Sequence, residues 1–210
     1  METPRILPST LTDGTFTTIF DDEDHLLSQC RISDTTLPAI NFAHPMLDHV
    51  IFENVVFTNQ TIERLEITDA IFNKCDFSNC HFEKANMLRT QFTNCKMVGL
   101  DLTGAILNNV SFDYCRLDLA LLCEMQLKTT HFNDCQLIDA SIMADRLTKV
   151  QFNRCDLDKA SFSETRLKNV DLSSCQFDQL ELDPELVRGM QVNLYQAASL
   201  AASLNGIHVK

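Results

Sequence analysis

Residues 71–95 read IFNKC DFSNC HFEKA NMLRT QFTNC, and this stretch contains the pattern that decides the fold. A large apolar residue occupies the second place of each group of five, and the pattern returns every 20 residues, as from Phe72 to Phe92. Taking every fifth residue from Leu27 to Leu182 gives 32 positions, all of them Leu, Ile, Phe or Met. A helix has a period of 3.6 and a strand a period of 2, so neither produces this pattern and the chain must contain an internal repeat.

The position two residues before each central apolar residue is also small or apolar in most repeats, whereas the other three positions are mostly polar. Two inward and three outward residues suit a chain that turns a corner in every repeat. The 20-residue interval then indicates that four sides close one coil. We therefore expect an all-β solenoid, a four-sided β-helix of about eight coils stacked ~4.8 Å apart, roughly 38 Å long and filled by side chains, with no cavity for a substrate.

Each side of this solenoid has its own column of central residues. The first side has Ile32, Phe52, Phe72, Phe92, Phe112, Phe132, Phe152 and Leu172; the second has Leu37, Phe57, Phe77, Met97, Leu117, Leu137, Leu157 and Phe177. The third has Phe42, Ile62, Phe82, Leu102, Leu122, Ile142, Phe162 and Leu182; the fourth has Leu27, Leu47, Ile67, Met87, Leu107, Leu127, Leu147 and Leu167.

Units such as 75–79 (CDFSN), 85–89 (ANMLR) and 155–159 (CDLDK) resemble the pentapeptide-repeat family, whose pattern is A/C-D/N-L/F-x-x. The resemblance covers about three quarters of the chain. It implies a right-handed quadrilateral β-helix, in agreement with the columns above. It does not by itself imply a function.

Eight of the nine cysteines occupy the inward position, and only Cys123 falls on an outward one. A reduced thiol is a compact apolar filler there, so we expect a packing column rather than disulfides, a metal site or a nucleophile. A reducing cytoplasm is then the natural compartment. The start Met1–Pro4 shows no signal-peptide pattern, and no apolar run is long enough to span a membrane. The net charge of −12 argues against direct binding to nucleic acid and favours a basic partner.

The two ends depart from the repeat. Residues 1–26 are expected to cap the first coil, residues 27–183 to form the β-helix, and residues 184–210 to form a C-terminal cap. In that cap we expect a short helix or turn at 185–189, a short strand at 190–192, a helix after the N-cap Asn193, and a final strand at 207–209.

One inward position is anomalous, because Asp145 stands where an apolar residue is expected. A buried carboxylate without a partner is costly, so Asp145 should be hydrogen-bonded or displaced outward, with a local bulge as the expected solution. No second carboxylate, His or Ser is arranged around it, so a catalytic acid is not indicated.

The frame also assigns outward charges to sides of the rod. The fourth side is basic toward its C-terminal half, whereas the adjacent second and third sides are acidic, and more so toward the C-terminal end. Such a charge run is by default a solvated face. Carboxylates repeating along a rod can also imitate duplex DNA, which carries one charge per ~1.7 Å of axis. The candidate partner-binding residues are Asp118, Asp139, Asp156, Asp158, Asp178, Glu124 and Glu164.

The tail from Leu182 onward resembles the C-terminal segment of Qnr-like and MfpA-like pentapeptide proteins, which dimerise through it and protect DNA gyrase from quinolones or related poisons. The resemblance implies a homodimer through Leu194, Ala197, Leu200, Ala201, Leu204 and Ile207. The alternative is that these residues plug the open end of the bore and form no dimer. Several Qnr proteins depend on projecting loops for protection, and this chain has none between 27 and 182.

We therefore expect a cytoplasmic, non-enzymatic protein without cofactor or metal, which offers an acidic DNA-like rod to a type II topoisomerase. The alternative is a structural or scaffolding repeat protein that binds another protein partner. An enzyme is the least favoured class, because no catalytic constellation is present.

Overall fold

The computed structural model describes residues 1–40 and 44–207, and there the chain is a parallel β-solenoid of about eight turns with one short C-terminal helix. Phe42 of the third column lies outside the described residues. In the described part of the chain, none of the helices meets the length and hydropathy that a membrane-spanning helix needs. The strands are β1 Thr12–Asp13, β2 Leu26–Ser28, β3 Cys30–Thr36, β4 Met46–Val56, β5 Glu66–Asn73, β6 Asn86–Thr93, β7 Ile106–Asp113, β8 Gln126–Asn133, β9 Arg146–Thr148, β10 Gln151–Asn153, β11 Ala160–Ser161 and β12 Leu180–Glu181; the helix α1 is Leu194–Asn205, and two 3-10 helices are Pro8–Thr10 and Phe16–Phe20.

Strands of successive coils pair in parallel with a register of 20 residues, so that Phe52 pairs with Phe72 and Phe72 with Phe92. The long strands β4 to β8 run along the fourth and first sides. On the second and third sides, successive coils are connected by single β-bridges, such as Asp76 to Lys96 on the second side and Leu121 to Ser141 on the third. The predicted four-sided stacking is confirmed.

Backbone hydrogen bonds connect each coil to both of its neighbours. The N–H of Phe77 donates to the carbonyl of Lys96 at 2.7 Å, and the N–H of Lys96 donates to the carbonyl of Cys75 at 2.9 Å. The same pair of offsets recurs on the second and third sides. The backbone groups in this part of the rod therefore find partners in neighbouring coils, as buried backbone requires.

The corners require left-handed backbone. The residue two places after nearly every central residue has a positive φ, for example 53° at Asn79, 68° at Gly99 and 52° at Thr129. Asn, Asp and Gly adopt this conformation at the lowest cost, which explains their frequency at this position.

The central residues fill the bore. Those that the structure describes are buried, except that Leu147 and Phe177 are partly exposed. On the first side, rings from Phe52 to Phe152 stack face to face with centroids 4.9 to 5.1 Å apart. The void of about 10 Å³ near Phe16 and Ile40 is at the lower limit for one water molecule.

The cysteines form a ladder of free thiols beside the phenylalanine stack. From Cys75 onward, the Sγ of each inward cysteine donates to the backbone carbonyl 23 residues earlier, as from Cys135 to Phe112 at 3.2 Å and from Cys155 to Phe132 at 3.3 Å. The nine cysteines are unpaired, and only Cys123 is not fully buried. Burial raises the pKa of Cys80 to about 12, so that thiol stays protonated at neutral pH.

The N-terminal residues occupy two places. The 3-10 helix Phe16–Phe20 covers the first coil, with the ring centroid of Phe16 lying 6.4 Å from that of Phe52. Residues 1–7, which we call the N-terminal arm, instead lie along the side of the rod. The N–H of Arg5 donates to Asp69 at 2.8 Å, and the N–H of Glu2 donates to Asn109 at 2.9 Å. The arm therefore reaches two coils beyond Asp69, which the sequence did not indicate.

At the other end, bonding between coils continues past Leu182, since the N–H of Leu172 donates to the carbonyl of Gln191 at 2.8 Å. Residues 184–189 form turns, and the strand expected at 190–192 is a single bridge at Gln191. Helix α1 begins after the N-cap Asn193, which forms a capping box with Gln196. Residues 208 and 209 of the expected final strand lie outside the described residues, and Ile207 is not in a strand.

Candidate partner-binding surface

Four of the seven candidate carboxylates point freely into solvent from the second and third sides. Glu124, Asp139, Glu164 and Asp178 are exposed, and their carboxylates make no hydrogen bond or ion pair with any residue that the structure describes. They lie at the corners of the rod or next to them. These four are therefore available to an external cation.

The other three candidates also have internal partners. Asp118 is paired with Arg116 at 3.0 Å and accepts the N–H of Ile138 at 3.2 Å. Asp158 accepts the N–H groups of Asp178 and Gln179, which hold its pKa below the usual value, so that it remains charged at neutral pH.

Asp156 is half-buried and accepts the N–H of Asp158 at 3.1 Å, within the same repeat. The frame placed this carboxylate on the correct side of the rod. It could not show that a backbone N–H uses one of its oxygens.

Few cations offset these carboxylates. Between positions 116 and 183, the second and third sides carry nine carboxylates against Arg116 and Lys159. The two sides therefore carry seven net negative charges in this stretch. At ~4.9 Å per coil the linear density is roughly one net negative charge per 2.5 Å of rod, compared with one per ~1.7 Å in duplex DNA. The acidic sides therefore approach the charge density of a duplex along this half of the rod.

The fourth side has the opposite sign. Five exposed cations in its C-terminal half form no ion pair with any described residue. They are Lys128, Arg146, Lys149, Arg166 and Lys168. The fourth side thus interrupts the negative charge, which does not surround this half of the rod.

Arg89, on the same side but nearer the N-terminus, has a structural role. Its guanidinium holds Asp69 through two bonds of 2.7 and 2.6 Å, and Asp69 is 1% exposed. Burial acts to raise the pKa of Asp69, but Arg89 and the N–H of Arg5 outweigh it and keep that pKa low. Asp48, His49 and Asp69 are close enough to share a cation, but an ion there would have to displace Arg89.

Asp145 remains in its inward position and is 6% exposed. Its Oδ1 accepts the N–H of Met125 at 2.6 Å, whereas Oδ2 has no hydrogen-bond partner among the described residues. Burial raises the pKa of Asp145 to about 7, although the bond from Met125 opposes the rise. The expectation of a hydrogen-bonded carboxylate is confirmed for one oxygen, but the expected bulge is not found, because the 20-residue register holds both from Gln126 to Arg146 and from His131 to Gln151. In this coil the long strand is interrupted between β9 and β10.

Sequence reasoning missed a group of exposed apolar residues. Within the described part of 27–182, the large hydrophobic side chains that are exposed are Ile106, Tyr114, Leu119 and Leu121. All four fall within a single coil. Their outward positions in the frame were the signal that could have identified them.

Comparison with protein families decides the identity of the repeat. Residues 65–142 match the family model described as a pentapeptide repeat region, and residues 146–179 match the model described as pentapeptide repeats of eight copies. Together these matches cover more than half of the chain. The chain belongs to the pentapeptide-repeat family. None of the curated protein sequences matches it significantly.

Solved pentapeptide-repeat structures are similar to this chain. QnrB1, a plasmid-mediated fluoroquinolone resistance protein, is 21% identical with a TM-score of 0.39, over 86% of this chain and 91% of that one. HetL, a pentapeptide-repeat protein involved in heterocyst differentiation regulation in the cyanobacterium Nostoc, is 15% identical with a TM-score of 0.32, over 80% of this chain and 83% of that one.

The C-terminal helix of this pentapeptide-repeat protein has two faces. Leu200 is buried and Leu204 is partly buried against the core, and the amide of Gln196 donates to the carbonyls of Leu172 and Cys175 at 3.0 and 2.8 Å. These residues close the bore. The sequence did not indicate that the side chain of Gln196 would bind backbone carbonyls at the end of the bore.

The remaining candidate dimer residues differ in their exposure. Leu194 is 81% exposed and Ile207 56% exposed, while Ala197 is exposed and Ala201 half-buried. Tyr195, which is not among the predicted dimer residues, is 87% exposed. The predicted stripe is therefore divided between the core and the surface, and pairing with a second copy remains a prediction.

Proposed function

We propose that this pentapeptide-repeat protein is a non-enzymatic cytoplasmic protein that binds DNA gyrase or topoisomerase IV by imitating DNA and protects it from quinolone-type or related inhibitors. The observation that carries the proposal is the pair of adjacent acidic sides on a solenoid. The resemblance of the C-terminal tail to Qnr-like and MfpA-like proteins supports the choice of partner.

The physical basis is the placement of charge on a rigid surface. A DNA-binding groove gains affinity by neutralising phosphates with Lys and Arg, and it attracts any rod that presents similar charge at similar spacing. Solvent-exposed carboxylates such as Asp139 and Asp178 can fill that role. Because the repeat contains no inserted loop between 27 and 182, the contact is made by the flat sides themselves.

The C-terminal helix supplies the second part of the proposal, a homodimer. Leu194 and Tyr195 are exposed apolar side chains at the end of the rod, next to the small Ala197. Two copies that meet there through a two-fold axis would cover these side chains and double the length of the acidic surface.

The proposal is tested by measuring supercoiling by purified gyrase, and its poisoning by a fluoroquinolone, with and without the protein. We expect inhibition at high protein concentration, protection at lower concentration, and direct binding that weakens as salt screens the charges. The variant Asp139→Lys/Asp178→Lys should lose binding. The matched control Glu23→Lys/Asp24→Lys makes the same change in net charge in the N-terminal loop and should retain it.

Absence of binding, inhibition and protection with the wild-type protein would refute the proposal. Binding to another protein that survives high salt would instead favour the scaffolding alternative. Dimerisation is measured separately by sedimentation, where Leu194→Glu/Tyr195→Glu should give a monomer and leave the circular dichroism spectrum unchanged.

A further inference from the structure

The exposed apolar side chains of the solenoid wall are concentrated in one coil near the middle of the rod. Tyr114 is 62% exposed, Leu119 57% and Leu121 42%. Tyr114 and Leu119 stand at the two corners that border the second side, and Leu121 lies on the third side. They form a row that crosses the second side and enters the third, which we call the apolar row.

Two members of the row also occupy conformations that suit them poorly. The φ angle is 56° at Tyr114 and 60° at Leu119, in the left-handed region that large side chains disfavour. One coil below them, the same corners carry Asn94 and Gly99. Since both side chains are largely exposed, core packing does not offset this cost. A strained and exposed apolar residue is a reason to look for a binding role.

Carboxylates surround the row. Asp139 lies one coil above Leu119 and Glu124 lies at the next corner along the chain, and both carboxylates are free of partners in the described structure. The two guanidinium groups beside the row are already paired, that of Arg116 with Asp118 at 3.0 Å and that of Arg154 with Asp134 at 2.6 Å. A complementary surface must therefore bring positive charge around apolar side chains.

We propose that the apolar row is the anchor by which a partner protein with a basic surface containing apolar side chains docks on the two acidic sides. The inference rests on the proposed function and adds to it the place and chemistry of contact. The carboxylates steer the partner and set its orientation, whereas the apolar row supplies contact that persists when the charges are screened. Duplex DNA presents phosphates but no such apolar side chains. A partner that contacts the apolar row therefore recognises more than the negative charge that the rod shares with DNA.

The columns of the solenoid provide replacements that the fold already accepts. Leu119→Asn introduces the residue type that Asn79 already provides at the same corner two coils below. Tyr114→Asn does the same with Asn94, one coil below. Leu121→Ser places the residue of Ser141, which is bridged to position 121 in the next coil.

The matched control is Ile106→Gln, because Ile106 is 44% exposed on the fourth side, outside the row, and pairs with Gln126. All variants should be at least as stable as the wild type in thermal unfolding.

The first measurement is affinity for purified gyrase subunits. Each substitution in the row should weaken binding about tenfold and the triple variant about a hundredfold or more, while the control stays within twofold of wild type. Unchanged affinity in the triple variant, with wild-type binding intact, would overturn the inference and leave the proposed function standing.

The second measurement needs no topoisomerase. Two synthetic peptides of equal charge are compared, one of Lys and Leu and one of Lys and Ser. The wild type and the control should prefer the leucine peptide by about tenfold, and the triple variant should lose this preference. If the wild type shows no preference, the inference is wrong whatever gyrase does. If the preference holds while gyrase fails to bind, the proposed partner is wrong and the anchor remains.

Discussion

Replacing Asp145 by threonine should stabilise the protein, because the position needs a hydrogen-bond acceptor but not a charge. Oδ1 of Asp145 accepts the N–H of Met125 at 2.6 Å, and the other oxygen is buried without a partner among the described residues. One coil above, Oγ1 of Thr165 accepts the N–H of Asp145 at 3.0 Å and donates to Ile142 at 2.9 Å. A threonine at position 145 can repeat this arrangement, accepting from Met125 and donating to the carbonyl of Leu122.

The magnitude follows from the pKa of Asp145, which burial raises from 3.8 to about 7. A folded-state pKa above the unfolded value means that ionisation opposes folding. The penalty is absent below pH 4, grows as the pH rises from about 4 to 7, and is complete above pH 7. About three pKa units correspond to roughly 4 kcal/mol, so Asp145→Thr should raise the free energy of unfolding by about 2–4 kcal/mol at pH 8 and by little at pH 4.

The assay is chemical denaturation followed by circular dichroism at several pH values between 4 and 8, with wild type, Asp145→Thr and Asp145→Ala. The alanine variant also removes the charge but leaves the N–H of Met125 without its acceptor, at a cost of about 1–3 kcal/mol, so its gain should be smaller. A difference between threonine variant and wild type that does not change with pH, or a threonine variant that is less stable at pH 8, would refute the reasoning.

Three further predictions concern other parts of the rod. Arg89→Met removes the guanidinium that neutralises the buried Asp69 carboxylate and should cost about 3–5 kcal/mol at pH 7 in denaturant titration. Because the folded pKa of Asp69 is lowered, the stabilisation from this pair is present above pH 4 and is lost as the pH falls further, opposite to Asp145. Gly99→Ala places a Cβ 2.8 Å from Asn79 Oδ1 at a φ of 68°, so we expect a loss of about 1–2 kcal/mol in the same titration. In thiol labelling of the native protein at pH 8, Cys123 should react first, and a second equally fast thiol would contradict the ladder.

The solenoid could be predicted from the sequence because its period is a geometric property of the coil. Once the interval of 20 residues is recognised, the stacking of Phe72 on Phe92 follows, and so does the inward direction of Cys75. The helix after Asn193 was predictable for a local reason, since the cap and the helix are neighbours in the chain.

Contacts made by backbone groups could not be predicted in the same way. Asp158 looks like any surface carboxylate in the sequence, but it accepts two N–H groups from the next coil. The N-terminal arm is held to Asp69 and Asn109 by its own N–H groups, which every residue type but proline provides. Such contacts leave no residue pattern.

The arm also changes how order is lost along the rod. In a stack of repeats each coil contacts only its neighbours, so unravelling can begin at either end and proceed one coil at a time. Here the first residues of the chain reach Asn109, so separating the coils beneath them also costs the hydrogen bonds of the arm. Peeling should therefore start at the helix-capped end, and the proposed dimer contact at that end would protect the rod where it is most vulnerable.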